Sequence, residues 1–281
     1  ITRPEQLLTS LPQAMRVLTD PVECGPVTLA LPQDVQTMAF DFPEHFFKEK
    51  IHKQRRQLPD EVELAEAVEL IKGAKKPLLI AGGGVHYSGA LAELESFVSE
   101  HKVPVGETQA GKGAFPWDHP QNMGSMGVTG AASTNELAAE CDLIIAVGTR
   151  LGDFASGSRT MINPEAKLVS INVASFDTVK HYGKPLVGDA KLTLPKLGEA
   201  LGNWQPENGW QQAAVAVKKA WETYVDEATA DKKALPLTDP EAVGAVNRAA
   251  GEEDIVVCAA GGLPGELQKL WRTRFSRGYH M

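Results

Sequence analysis

From residue 60 onward the chain alternates between two hydrophobic rhythms. "PDEVELAEAVELIKGAKK" sets apolar residues at helical spacing, with Asp60 placed as an N-cap and Gly73 as a stop. An unbroken apolar run follows, Leu78-Leu79-Ile80-Ala81, then the glycines Gly82, Gly83 and Gly84, then a second amphipathic stretch over 89–101. The order repeats, with a short strand in "VPVGET", a helix in "AASTNELAAECD" and strands in "LIIAVG" and "KLVSINV". Between them "QAGKGAFPWDHPQNMGSMGVTG" and "TRLGDFASGSRTM" read as loops. Strands that are apolar throughout, rather than alternating, are buried on both faces. The pattern therefore predicts an α/β domain: a Rossmann-like, three-layer fold with a parallel sheet between helices.

The flanks are less regular. In "RPEQLLTSLPQAMRVLTD", Leu7, Leu8, Leu11, Met15 and Leu18 recur at helical spacing, and Pro12 predicts a break or kink. Val27 to Leu31, bounded by Pro26 and Pro32, reads as a short strand, and 36–58 as a polar linker. After Leu201, "ENGWQQAAVAVKKAWETYVDEATADKK" reads as a long exposed or bridging helix. A helix in "PEAVGAVNRAA" and a strand in "DIVVCAA" then open a further α/β unit, and the chain reads as a piece of a longer one.

Composition narrows the function classes. Over 281 residues, 43% are apolar and 23% charged, with a net charge of −8, which opposes a nucleic-acid surface and suits a soluble protein acting on a small molecule. The three cysteines lie too far apart for a zinc knuckle or a CxxC pair, and Cys141 and Cys258 read as small buried hydrophobes. No apolar run is long enough for a membrane span, so a cytoplasmic setting is expected.

Candidate chemistry belongs in the loops at the carboxyl ends of the strands. The glycine turn at 82–84 lacks the third glycine of G-x-G-x-x-G, because Tyr87 stands there, so it reads first as a close-packed βα turn. Lys112 between Gly111 and Gly113 lacks P-loop spacing. His86 and His119 read as turn or packing residues rather than general bases. Arg150 either grips an anion or pairs with Asp153. No G-x-S-x-G string and no metal-ligand cluster is present, and no catalytic set is visible.

Four stretches in register carry a family resemblance: "KKPLLIAGGGVHYSGA", "ETQAGKGAFPWDHPQNMGSMGVTG", "AAECDLIIAVGTRLGD" and "PLVGDAKLTLPKL". Together they resemble the central domain of thiamine-diphosphate-dependent enzymes of the acetolactate synthase and pyruvate decarboxylase group. "GGLPGELQKLWR" and the first 36 residues look closest to a branch that hydrolyses a carbon–carbon bond of a cyclic diketone in inositol catabolism. The resemblance implies the end of a pyrimidine-binding domain over 1–45, a linker over 46–59 and the central domain over 60–202. A linker helix over 203–236 and the start of a diphosphate-binding domain over 237–281 would follow. It further implies a homo-oligomer, dimer or tetramer, that binds thiamine diphosphate and Mg²⁺ between subunits. In the family a carboxylate of the pyrimidine domain activates the cofactor, and a Gly-Asp-Gly run with a later asparagine holds the magnesium. This sequence contains no Gly-Asp-Gly, since Gly188-Asp189 is followed by Ala190 and Gly152-Asp153 by Phe154. The chain alone is therefore expected to be inactive. Only Gly261, Gly262 and Leu263 are placed to touch the diphosphate. By the same resemblance Gly82, Gly83, Gly84 and Arg150 mark a nucleotide cleft that holds FAD in some relatives and is vestigial in others, the vestigial role being favoured here. Two alternatives stay open: an acetolactate-synthase-like carboligase or decarboxylase, and a nucleotide-binding module without chemistry.

Overall fold

The structure is a computed structural model that describes residues 1–232 and 235–281. The chain divides into two compact units, Ile1–Arg56 and Gln57–Met281.

In the first unit a 3₁₀ turn, Pro4–Gln6, leads into α1 (Leu7–Thr19). The helix runs through Pro12 without the expected break. A proline removes one i→i−4 hydrogen bond, and the turns on either side persist to Thr19, whose hydroxyl donates to the Met15 carbonyl at 2.7 Å. The strand expected over Val27–Leu31 is also absent: the segment pairs with no ladder partner among the described residues, and Val27 is exposed. Apolar sequence makes a strand only where a second backbone accepts its N–H and C=O groups. Within the stretch read as linker, Phe40, Phe42, Phe46 and Phe47 pack ring against ring at 4.8–6.1 Å.

The second unit is built on a six-stranded, wholly parallel sheet. Helix α2 (Glu61–Lys72) is capped by Asp60, whose carboxylate accepts from the Val62 and Glu63 amides, and ends at Gly73. Strand β1 (Pro77–Ala81) is followed by α3 (Gly83–Ser88), α4 (Leu91–His101) and β2 (Val105–Glu107). Then come β3 (Asn122–Ser125), α5 (Ala132–Glu140), β4 (Leu143–Val147), the single turn α6 (Asp153–Ser156) and β5 (Lys167–Asn172). The single turn α7 (Ser175–Thr178), β6 (Lys184–Val187) and α8 (Ala190–Leu201) complete the domain. Strand order is β3-β2-β1-β4-β5-β6, so the sheet reverses direction of growth between β1 and β4. The loop reading of 109–130 missed β3, whose glycine and polar residues hide a buried edge strand.

Side chains of β1 and β4 alternate between two cores. Leu79, Ala81, Ile145 and Val147 meet α2, α4 and α8 on one face; Leu78, Ile80, Ile144 and Ala146 meet α5 and α9 (Asn208–Ala228) on the other. Helix α9 bridges, as expected, but it is not simply exposed. Trp210 is buried with its indole N–H on the Pro77 carbonyl at 2.9 Å, Ala214 joins the sheet core, and Val225 reaches a third cluster. That cluster holds Val243, Leu270, Trp271 and Tyr279, from α10 (Asp239–Ala249), α11 (Gly262–Leu270) and its C-terminal end, and the two-residue parallel pair β7 (Val256–Val257) and β8 (Tyr279–His280).

Candidate functional site

The switch point between β1 and β4 is where an open α/β sheet offers its ligand crevice. Here it is closed by backbone. The glycine turn is not a free loop leading to a helix at residue 89; the helix begins at Gly83, with Gly82 as its N-cap. Gly82 N–H donates to the Val147 carbonyl at 2.8 Å and Gly84 N–H to the Gly148 carbonyl at 2.9 Å. A Cβ on Gly84 would sit 2.6 Å from Gly148 Cα, and one on Gly82 would meet the Gly148 carbonyl and the Thr149 side chain. Gly83 packs on Ala110 and on Tyr87 of its own helix. The two donors a phosphate would need from Gly82 and Gly84 are thus occupied within the chain. Gly89, at φ +65°, ends the helix.

Arg150 is exposed, and no ion pair joins it to Asp153 among the described residues. Its loop carries Leu151 at φ +43° and Arg159 at φ +69°.

The second predicted set lies at the start of α11. Gly261 takes φ +132°, a region closed to L side chains. No heavy atom lies within 4 Å of a Cβ built on Gly262, and Gly261, Gly262 and Leu263 are all exposed. A backbone in this form lets a ligand approach the first amides of a helix closely. The far half of α11 is seated on the central sheet. Ser125 Oγ donates to the Gln268 carbonyl at 2.9 Å, and Gln268 Nε2 donates to the Met126 carbonyl at 3.2 Å.

Between these sets the sheet's carboxyl edge meets the C-terminal segment through buried polar groups that the sequence reading passed over. Glu107 ends β2 at 2% exposure and accepts the Ala114 amide at 2.9 Å. Burial raises its carboxyl to about 7, against the pull of the Lys112 ammonium and the loop amides. Lys112, 6% exposed, carries its ammonium over the Tyr279 ring at 5.6 Å, and burial lowers its pKa. It is a packed lysine inside the junction rather than a phosphate-loop residue. Tyr279 hydroxyl and Cys258 Sγ lie 3.0 Å apart, and Cys258 is only partly buried. Three bonds stitch the loop after β2 to this segment: Trp117 N–H to Thr273 O, Arg277 N–H to Gly113 O and Ser276 Oγ to Ala114 O, at 2.9, 2.8 and 3.3 Å. The one available signal was a glutamate and a lysine inside "GETQAGKGAF", a glycine-rich passage directly after a buried strand.

The histidines pack. His119 Nε2 meets Ser99 Oγ at 3.1 Å, its Nδ1 accepts the Gln121 amide, and burial lowers its pKa. His86 sits 3.1 Å from the Gly111 carbonyl through Nε2, so that nitrogen is the donor; burial likewise depresses it. Cys141 is fully buried, which pushes its thiol up to about 12. Among the described residues no group of three or more His, Cys, Asp or Glu could hold a metal, and no helix is long and apolar enough to cross a membrane.

Residues 64–197 match the family of thiamine pyrophosphate enzyme central domains. Among curated proteins, the whole chain is 40% identical to 3D-(3,5/4)-trihydroxycyclohexane-1,2-dione hydrolase of Bacillus cereus (strain AH820). It matches the same enzyme of Clostridium perfringens at 40% and of Bacillus anthracis at 39%. In each case the match covers 100% of this chain and 48% of the relative, so the chain spans about half the length of these proteins.

Proposed function

We propose that the chain serves in a thiamine diphosphate-dependent hydrolase that opens the ring of a trihydroxycyclohexane-1,2-dione with water. The observation that carries this reading is the 40% identity along the entire chain, flanks as well as sheet, to relatives named for that reaction. The central domain alone would leave substrate choice open, since one fold hosts many chemistries.

In this reading the chain's own contribution is to bind and orient. The amides of Gly261, Gly262 and Leu263 at the exposed start of α11 would hold the diphosphate, and the open backbone there fits such a group. When bound, thiamine diphosphate supplies a carbon nucleophile that also takes up the electrons of the breaking carbon–carbon bond. Seating α11 is the task of Gln268 and the loop after β2, so the central domain fixes the helix that meets the cofactor. The Gly82–Gly84 turn and Gly148 act as a packing device in this scheme. In this scheme the subunit would be at least dimeric.

The test uses the protein encoded by the complete reading frame and its Gly261→Val variant. Valine cannot adopt φ +132° without strain, so the KM for thiamine diphosphate should rise at least about tenfold, the equivalent of one lost hydrogen bond to a charged group. An unchanged KM would remove Gly261 from the site. The 281-residue chain alone should show no turnover; measurable ring opening by it would contradict this account.

A further inference from the structure

Helix α11 carries Gly261, Gly262 and Leu263 at its exposed start, and its second turn is held to Ser125 and Met126 through Gln268. Another contact lies a turn nearer those residues. Gly265 is buried against Thr129 of the loop after β3, and a Cβ built on it would stand 2.8 Å from Thr129 Cγ2. The Thr129 hydroxyl donates to Gln268 Oε1, three residues further along the same face of the helix. Gln268 is 2% exposed, and its Nε2 donates to the Met126 carbonyl, so Thr129 serves the other end of a buried amide. Threonine is stiff at χ1. The bond to Gln268 therefore also fixes the methyl that faces Gly265.

The loop that presents Thr129 is itself pinned. Asn135 of α5 accepts from the Gly127 amide at 3.1 Å and donates to the Gly127 carbonyl at 3.0 Å. The Val128 amide donates to the Phe154 carbonyl at 3.0 Å, and the Gly130 amide to the Gly127 carbonyl at 2.9 Å. Thr129 thus stands on the central sheet's own loops and passes their position to α11 through one hydroxyl and one methyl.

We propose that Thr129 is a positioning residue of the cofactor site: it sets the distance and rotation of the first turn of α11, and with them where the amides of Gly261, Gly262 and Leu263 stand. The inference rests on the reading that those amides meet the diphosphate, and it adds the residue that aims them. Amides hold an anion only at hydrogen-bonding distance, so a displacement of about 0.5 Å in α11 is enough to weaken the hold. The two contacts of Thr129 are separable. Its hydroxyl ties the helix in, and its methyl against Gly265 limits how close the helix comes.

The test uses the protein of the complete reading frame and its dissociation constant for thiamine diphosphate with Mg²⁺, read by calorimetry. Thr129→Val keeps the shape and removes the hydroxyl; the constant should rise about tenfold, the worth of one hydrogen bond. Thr129→Ser keeps the hydroxyl and should stay within about threefold of the unsubstituted protein. Gly265→Ala should weaken binding about tenfold or more by overpacking, although alanine favours a helix over glycine. Adding Thr129→Ser, which removes the opposed methyl, should then restore it. A role in stability alone would lower the melting temperature of Thr129→Val and leave its dissociation constant unchanged. That result overturns the proposal, as does a Gly265→Ala loss that Thr129→Ser does not repair. Gly261→Val, measured alongside, separates this inference from the reading beneath it. Weaker binding in Gly261→Val with none in Thr129→Val removes Thr129 alone, whereas no change in either removes the diphosphate site itself. If Thr129→Val does not fold, Gly265→Ala with and without Thr129→Ser decides.

Discussion

At the scale of single residues, the switch-point glycines and Glu107 set the sharpest expectations. Gly148 takes φ +61°, and a Cβ there would lie 2.6 Å from Gly84 Cα, a backbone atom that cannot step aside. Gly148→Ala should therefore cost about 2–4 kcal/mol, from left-handed strain and overpacking together. Urea unfolding reads this directly. Gly209→Ala, near the start of α9 with nothing within 4 Å, should instead be neutral or stabilise by up to about 1 kcal/mol. Equal losses at both positions would refute the packing role. Glu107 makes a pH prediction. Its carboxyl, ordinarily near 4.5, is raised to about 7 in the folded chain. Between those values the folded state holds a proton that the unfolded state has released, so stability falls as pH rises and levels off above 7. The span is on the order of 3 kcal/mol. Glu107→Gln should flatten the unfolding free energy between pH 5 and pH 7 to the extent Glu107 causes it; an unaltered slope would assign it elsewhere. Neither residue's role was legible from the letters alone. Gly82–Gly84 invited a phosphate because the sequence shows a strand, glycines and a helix. It does not show that Val147 and Gly148, some sixty residues on, accept their amides.

At the scale of elements, the long apolar periods were the readable part. Helix α2 with its Asp60 cap, strands β1, β4 and β5, and helix α5 stand where hydrophobic spacing put them. Asp60→Ala should cost about 1 kcal/mol in thermal or urea unfolding, through the loss of its bonds to the Val62 and Glu63 amides. The misreadings share one physical cause, which is that tertiary partners override local preference. Val27–Leu31 has strand composition without a partner strand, whereas Asn122–Ser125 has little strand composition but pairs with β2. Helix α9 looked solvated because its surface is rich in charge, yet Trp210, Ala214 and Val225 lie on one buried stripe. Trp210→Ala should therefore destabilise the chain by about 3–5 kcal/mol, as for a buried core aromatic rather than a surface residue. A loss under about 1 kcal/mol would return α9 to the role of a solvated linker.

At the scale of the whole molecule, the parallel sheet is a scaffold whose crevice is shut and whose edge carries α11. The family was legible because four loops stood in register, and the domain match over 64–197 covers the sheet that those loops join. The chemistry was less legible, since the sequence shows no catalytic set and the seat of α11 depends on long-range bonds such as Ser125 to Gln268. The proposed ring opening is tested by the mass and composition of the product formed from 3D-(3,5/4)-trihydroxycyclohexane-1,2-dione by the protein of the complete reading frame, with thiamine diphosphate and Mg²⁺ supplied. One open-chain acid is expected, with the mass of the substrate plus one water and no carbon dioxide released. Unchanged diketone, alongside condensation or decarboxylation of a 2-oxo acid such as pyruvate, would contradict it and establish the carboligase reading instead.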